Sequence, residues 1–110
     1  MATFFKNKLQ SSIGSTESTV LTTLSNARTT VIGLSLTNTT PDLVLASVKV
    51  SDTVAGTSAY YIRNVVIPPH QSLRVVNGGE KLVLGPSTDV KIQSSVDNSL
   101  DLVMSYVEII

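Results

Sequence analysis

Residues 30–51, TVIGLSLTNTTPDLVLASVKVS, decide the fold class. Ile32, Leu34 and Leu36 alternate with Val31, Gly33, Ser35 and Thr37 up to Asn38, the period of a strand with one buried face. Thr39-Thr40-Pro41-Asp42 then makes a turn, because proline presets φ for a turn's second position and aspartate can bond its own backbone. Beyond it, Val44, Ala46, Val48 and Val50 take one face, and Leu45, Ser47, Lys49 and Ser51 the other. Asn38-Thr39-Thr40 also fits a glycosylation acceptor, but without a secretory signal it reads as part of the turn.

The same rhythm extends in both directions. Residues 19–24 form a short strand closed by Ser25-Asn26, and residues 1–18, MATFFKNKLQSSIGSTES, show no sustained period. That segment reads as an N-terminal arm or a short first strand ahead of a single domain over 19–110. Downstream, residues 52–58 form a loop with Gly56 as pivot and Val54 as its apolar tip. Residues 60–67 carry apolar side chains on both faces and stop at Pro68-Pro69, which confines that end to a sheet edge or corner. Residues 71–76 and 80–84 flank Asn77-Gly78-Gly79; asparagine-glycine favours a type I′ turn, so these two strands are predicted to pair directly. Gly85-Pro86-Ser87-Thr88 turns the chain into residues 89–95, and Asp97-Asn98 turns it again. In residues 100–110, Leu100, Leu102, Met104 and Tyr106 oppose Val103, Val107 and Ile109. About eight or nine short strands, with turn chemistry in each gap and no helical window, predict an all-β antiparallel sandwich, jelly-roll-like.

Composition agrees. The chain has 110 residues, with fifteen Val, seven Ile and thirteen Thr, so close to a third is β-branched. Eight Lys plus Arg balance eight Asp plus Glu, which leaves no basic field for phosphate backbones and argues against nucleic acid as a partner. No cysteine is present, which excludes thiol catalysis, disulfides and Cys-ligated zinc. The start lacks the charged-then-apolar order of a signal peptide, and no apolar run approaches the ~20 residues that span a bilayer. The expectation is a protein that stays where it is made, with no membrane partner.

Catalytic chemistry finds no purchase. The one imidazole, His70, follows two prolines, and no serine sits in a Gly-x-Ser-x-Gly elbow. Asp97 and Asp101 match no calcium loop and read as solvated turn carboxylates. Gly78-Gly79-Glu80-Lys81 lacks the spacing of a phosphate loop. The expectation is a non-enzyme without metal or cofactor.

Apolar side chains exceed what one sandwich needs: residues 60–67 and 100–110 each carry two apolar faces. Burying each surplus side chain against another subunit would contribute about 1.5–3 kcal/mol, so assembly is expected. The candidate contacts are Phe4 and Phe5 in the arm, Val54 at its loop tip, and Ile109 and Ile110.

From residue 30 to 110 the chain also resembles small virion structural proteins of tailed bacteriophages. The resemblance rests on Ile67-Pro68-Pro69, Leu73-Arg74-Val75-Val76, Gly79-Glu80-Lys81-Leu82-Val83-Leu84, Asp89-Val90-Lys91-Ile92, and Leu102-Val103-Met104-Ser105-Tyr106-Val107-Glu108-Ile109. It implies a β-sandwich assembling as a symmetric homo-oligomer in the virion, either decorating the capsid or at the neck and tail, with itself and other virion proteins as partners. A small carbohydrate- or receptor-binding sandwich is the alternative.

Overall fold

The computed structural model describes residues 2–77 and 79–110; Met1 and Gly78 lie outside the described residues. Nine strands run in the order β1 (Thr3–Ile13), β2 (Ser18–Thr22), β3 (Arg28–Asn38), β4 (Val44–Asp52), β5 (Thr57–Ile67), β6 (Ser72–Val76), β7 (Leu82–Leu84), β8 (Thr88–Ser94) and β9 (Leu100–Ile109). Sheet I has the order β1-β9-β3-β6, with β7 also on β3; sheet II has the order β2-β8-β4-β5. Every pairing is antiparallel. No helix among the described residues is long and apolar enough to cross a membrane.

The partner list has an internal logic. β1 pairs with β9, β2 with β8, β3 with β6 and β7, and β4 with β5. These pairs form one antiparallel ribbon doubled back at the β4–β5 loop. Rolling that ribbon up brings β9 beside β3 and β8 beside β4, which closes the two sheets of a jelly roll.

The hairpin expected at Asn77 is corrected. Gly78, half of that turn, lies outside the described residues, but its flanking strands do not pair with each other. β6 pairs with Leu34–Thr37 and β7 with Thr29–Val31, end to end along the same edge of β3. β3 is eleven residues long and β6 only five, so the two short strands in line satisfy more of β3's backbone than a folded-back hairpin would.

The alternation expected over residues 30–38 is corrected too. Between Val31↔Tyr106 and Gly33↔Ser105 the register skips one residue, so Ile32 is the extra residue of a β-bulge. Val31 and Leu34 both point into the core, and Ile32 is turned to the outside. A one-residue slip exchanges faces, which is why Ile32 parts from Leu34 and Leu36.

The segment read as an arm or short first strand is β1, eleven residues long and nearly all exposed, in register with β9 from Thr3↔Ile109 to Gln10↔Leu102. The core lies between the sheets, with Val31, Leu34, Leu36, Leu100, Leu102 and Met104 from sheet I against Val44, Ala46, Val48, Val90 and Ile92 from sheet II.

The turn after β3 is built on one side chain. Asn38 is fully buried, and its Nδ2 donates to the carbonyls of Asp42 (2.7 Å), Ile67 (3.0 Å) and Pro68 (3.2 Å). Its Oδ1 accepts from Thr40 N (2.9 Å) and Thr40 Oγ1 (2.8 Å). One amide therefore ties the β3–β4 turn to the end of β5, just where Pro68-Pro69 can donate no hydrogen bond of their own.

Candidate interaction surface

The outer face of sheet I can be built row by row from the registers. Phe5 lies opposite Val107, Val107 opposite Thr30, and Thr30 opposite Val83. Leu9, Val103, Ser35 and Arg74 form a second row, with Asn7, Ser105 and Gly33 between the two. Thr3, Ile109 and Arg28 close the end. Strand alternation places all these side chains on the side away from the core.

Two apolar rows thus flank a row of small and polar residues, beside which the bulge carries Ile32. Exposure is 81% for Phe5, 72% for Val83, 65% for Leu9 and 53% for Val103, so none of the described residues covers the face. Two shallow depressions meet at Ile32. One is lined by Phe5, Asn7 and Ser105, the other by Ser35, Arg74, Asn77 and Val103. An open, gently hollowed apolar surface is chemically suited to packing against another protein surface.

Of the residues singled out from sequence, Phe5 and Ile109 fall on this face. Phe4 does not. It lies opposite Glu108 on the other side of β1, with Lys6 Nζ 5.6 Å from its ring centre. Val54 caps the β4–β5 loop and is exposed, its N–H held by Asp52 Oδ1 at 3.0 Å. Ile110 is partly exposed and exchanges two backbone hydrogen bonds with Ala2. Leu9, Ile32 and Val83 are not among the contacts the sequence suggests. Leu9 is the next apolar odd position after Phe5 and so was detectable in a strand, but Ile32 and Val83 join the face only through the bulge and the in-line β7.

On the inward side of β1, Lys6 donates to Glu108 Oε1 at 2.9 Å, and the Glu108 side chain is 7% exposed. The hydrogen bond to this carboxylate raises the Lys6 pKa above its ordinary 10.5, with burial acting the other way. At the far end of β1, Asp97 Oδ1 accepts from Ser15 N and Ser15 Oγ, which lowers its pKa. Asp101 Oδ1 accepts from Ser12 N at 3.1 Å. Asp97 is thus engaged by the β1–β2 connection and Asp101 by the end of β1. Among the described residues no group of three or more His, Asp or Glu is placed to hold a metal ion. His70 is exposed at a positive φ of 56°, and among the described residues its imidazole is hydrogen-bonded to no serine or aspartate.

No family model matches the chain. No curated protein matches it either. Among solved structures, a chain of the T13 IBDV viral particle is similar over 96% of this chain, with a TM-score of 0.59 and 11% identity. The present chain spans only 30% of that protein's length. A chain of the Bacillus endospore appendages, described as disulfide-linked pili, is similar over 96% of this chain and 86% of its own, with a TM-score of 0.52 and 11% identity. At such identities the likeness is one of fold: a sandwich of this type is found in a viral particle and in a pilus.

Proposed function

We propose that this protein is a non-enzymatic structural component of a bacteriophage virion, assembling as a symmetric homo-oligomer on the capsid surface or at the neck and tail. The observation that carries the reading is the uncovered apolar face of sheet I, formed by Phe5, Leu9, Val83 and Val103 on a weakly charged sandwich. Several large apolar side chains exposed on one face mark a place where another protein surface packs. The motif resemblance to small virion proteins of tailed phages supports the phage setting, and the fold likeness to part of a viral particle supports a virion more broadly. Symmetric copies would multiply modest contacts, because once one subunit is held its neighbours bind at high effective concentration.

The test is the molar mass of the purified chain by light scattering, alone and with phage capsids or tails. A trimer or larger, or binding to particles, that is lost on Val103→Asp supports the reading. A stable monomer that binds no particle and retains an oligosaccharide on a glycan array overturns it in favour of the carbohydrate-binding alternative.

A further inference from the structure

The four free sheet edges are not equivalent. β2 is five residues long, and its register with β8 shifts between Thr19 and Leu21. β5 carries two register shifts against β4, with Asn64 at a positive φ of 52°. The edge formed by β6 and β7 is broken between Val76 and Leu82 and shifts against β3. Shortness, bulges and interruptions are the devices that keep edges from pairing with other chains. β1 has none of them from Thr3 to Gln10, where it runs without a shift and contains no proline.

The open edge has a defined chemistry. Ala2 and Ile110 exchange both backbone hydrogen bonds, so by antiparallel alternation Thr3, Phe5, Asn7 and Leu9 direct their N–H and C=O groups away from β9. The same residues put Phe5 and Leu9 on the apolar face. The opposite face presents Lys6 and Lys8, both exposed; Lys6 is paired with Glu108, whereas Lys8 has no carboxylate within salt-bridge distance among the described residues.

A second copy is a poor occupant in the register that pairs the apolar residues. Antiparallel pairing of two β1 strands about Asn7 would match Phe5 with Leu9, but would set Lys6 directly opposite Lys8 twice, and facing like charges are destabilising. Lysines along an edge guard against such self-pairing. They also select: a strand with acidic residues on one face and apolar residues on the other complements both sides of β1.

From this we infer that β1 is a docking edge for an extended strand of another protein, alternating acidic with apolar residues, which joins sheet I by backbone pairing and is selected by Lys8. The inference deepens the structural-protein reading by naming the partner's chemistry, but it rests on the strand edge rather than on the sheet face.

The experiment uses the full chain and a labelled, blocked synthetic peptide alternating Glu with Val, read by fluorescence anisotropy. A lysine-for-glutamate peptide of the same length is the control. The acidic peptide should bind saturably and the basic one should not. Asn7→Pro removes an edge N–H without touching the β9 ladder, and should weaken binding roughly tenfold at an unchanged melting temperature. Lys8→Glu should reverse the preference between the two peptides. Equal binding of both peptides, or acidic-peptide binding unaffected by both substitutions, overturns the proposal. Val103→Asp should leave peptide binding intact, so failure of the face and failure of the edge are read separately.

Discussion

The outer faces of the two sheets are built on opposite principles. On sheet II, the facing pairs Ser47 and Gln93, Lys49 and Lys91, and Ser51 and Asp89 are polar, and most of their side chains are engaged locally. Lys49 reaches Glu17 at 3.0 Å, Thr22 bonds Asp89 at 2.7 Å, and Ser51 bonds Ser58 at 2.8 Å. Besides these, that face carries Leu45 beside Val66 at one end and Tyr60 opposite Lys49, its ring flanked by the Lys49 and Arg63 cations. Sheet I instead offers water Phe5, Leu9, Val83 and Val103. The exposed apolar side chains are therefore more numerous on the outer face of sheet I than on that of sheet II, which gives the molecule two unlike sides.

That contrast can be tested at neighbouring positions of one strand. Leu102→Ala, inside sheet I, should cost about 2–5 kcal/mol in denaturant unfolding, while Val103→Ala on the outer face should stay within about 0.5 kcal/mol. Equal losses at the two positions would break the distinction between the faces. Asn38→Ala should cost about 1–3 kcal/mol, because it strands the buried carbonyl of Ile67 and loosens the turn that holds both sheets together at that end. Ser51→Ala on sheet II should cost about 0.2–1 kcal/mol. Thr19→Asp, also on sheet II, should leave the light-scattering mass unchanged where Val103→Asp lowers it. Smallest of all is the effect of pH on the Lys6–Glu108 contact. Because pairing raises the lysine's pKa in the folded chain, its contribution is complete below 10.5 and is lost as pH climbs through the raised value. Lys6→Met should abolish that alkaline component of the melting curve and also lower the neutral-pH melting temperature, because it leaves the nearly buried Glu108 carboxylate without its partner.

The sandwich was legible because most of its strands obey period two between strong turns, as in Val44, Ala46 and Val48 or Leu100, Leu102 and Met104. What escaped was register. The bulge at Ile32 is hidden because Val31 and Ile32 are equally apolar, so nothing local marks which of them turns outward. Asn77-Gly78-Gly79 carries hairpin chemistry, but the long edge of β3 outweighs it. β1 shows no period because none of its side chains before Ile13 enters the core, and its position is set by β9, far along the chain. Phe5 and Ile109 could be picked out as apolar residues near the ends. That they share a face with Leu9, Val83 and Val103 follows only from the rows across strands.

The pairing of first strand with last has a consequence for biogenesis. Lys6 and Glu108 are separated by 102 positions along the chain, so all the intervening residues must be synthesised before β1 can pair with β9. Topologies dominated by such distant contacts fold slowly, so β1 spends that interval with its β9-facing edge open. Yield of correctly folded protein should therefore depend on shielding that edge until β9 has emerged.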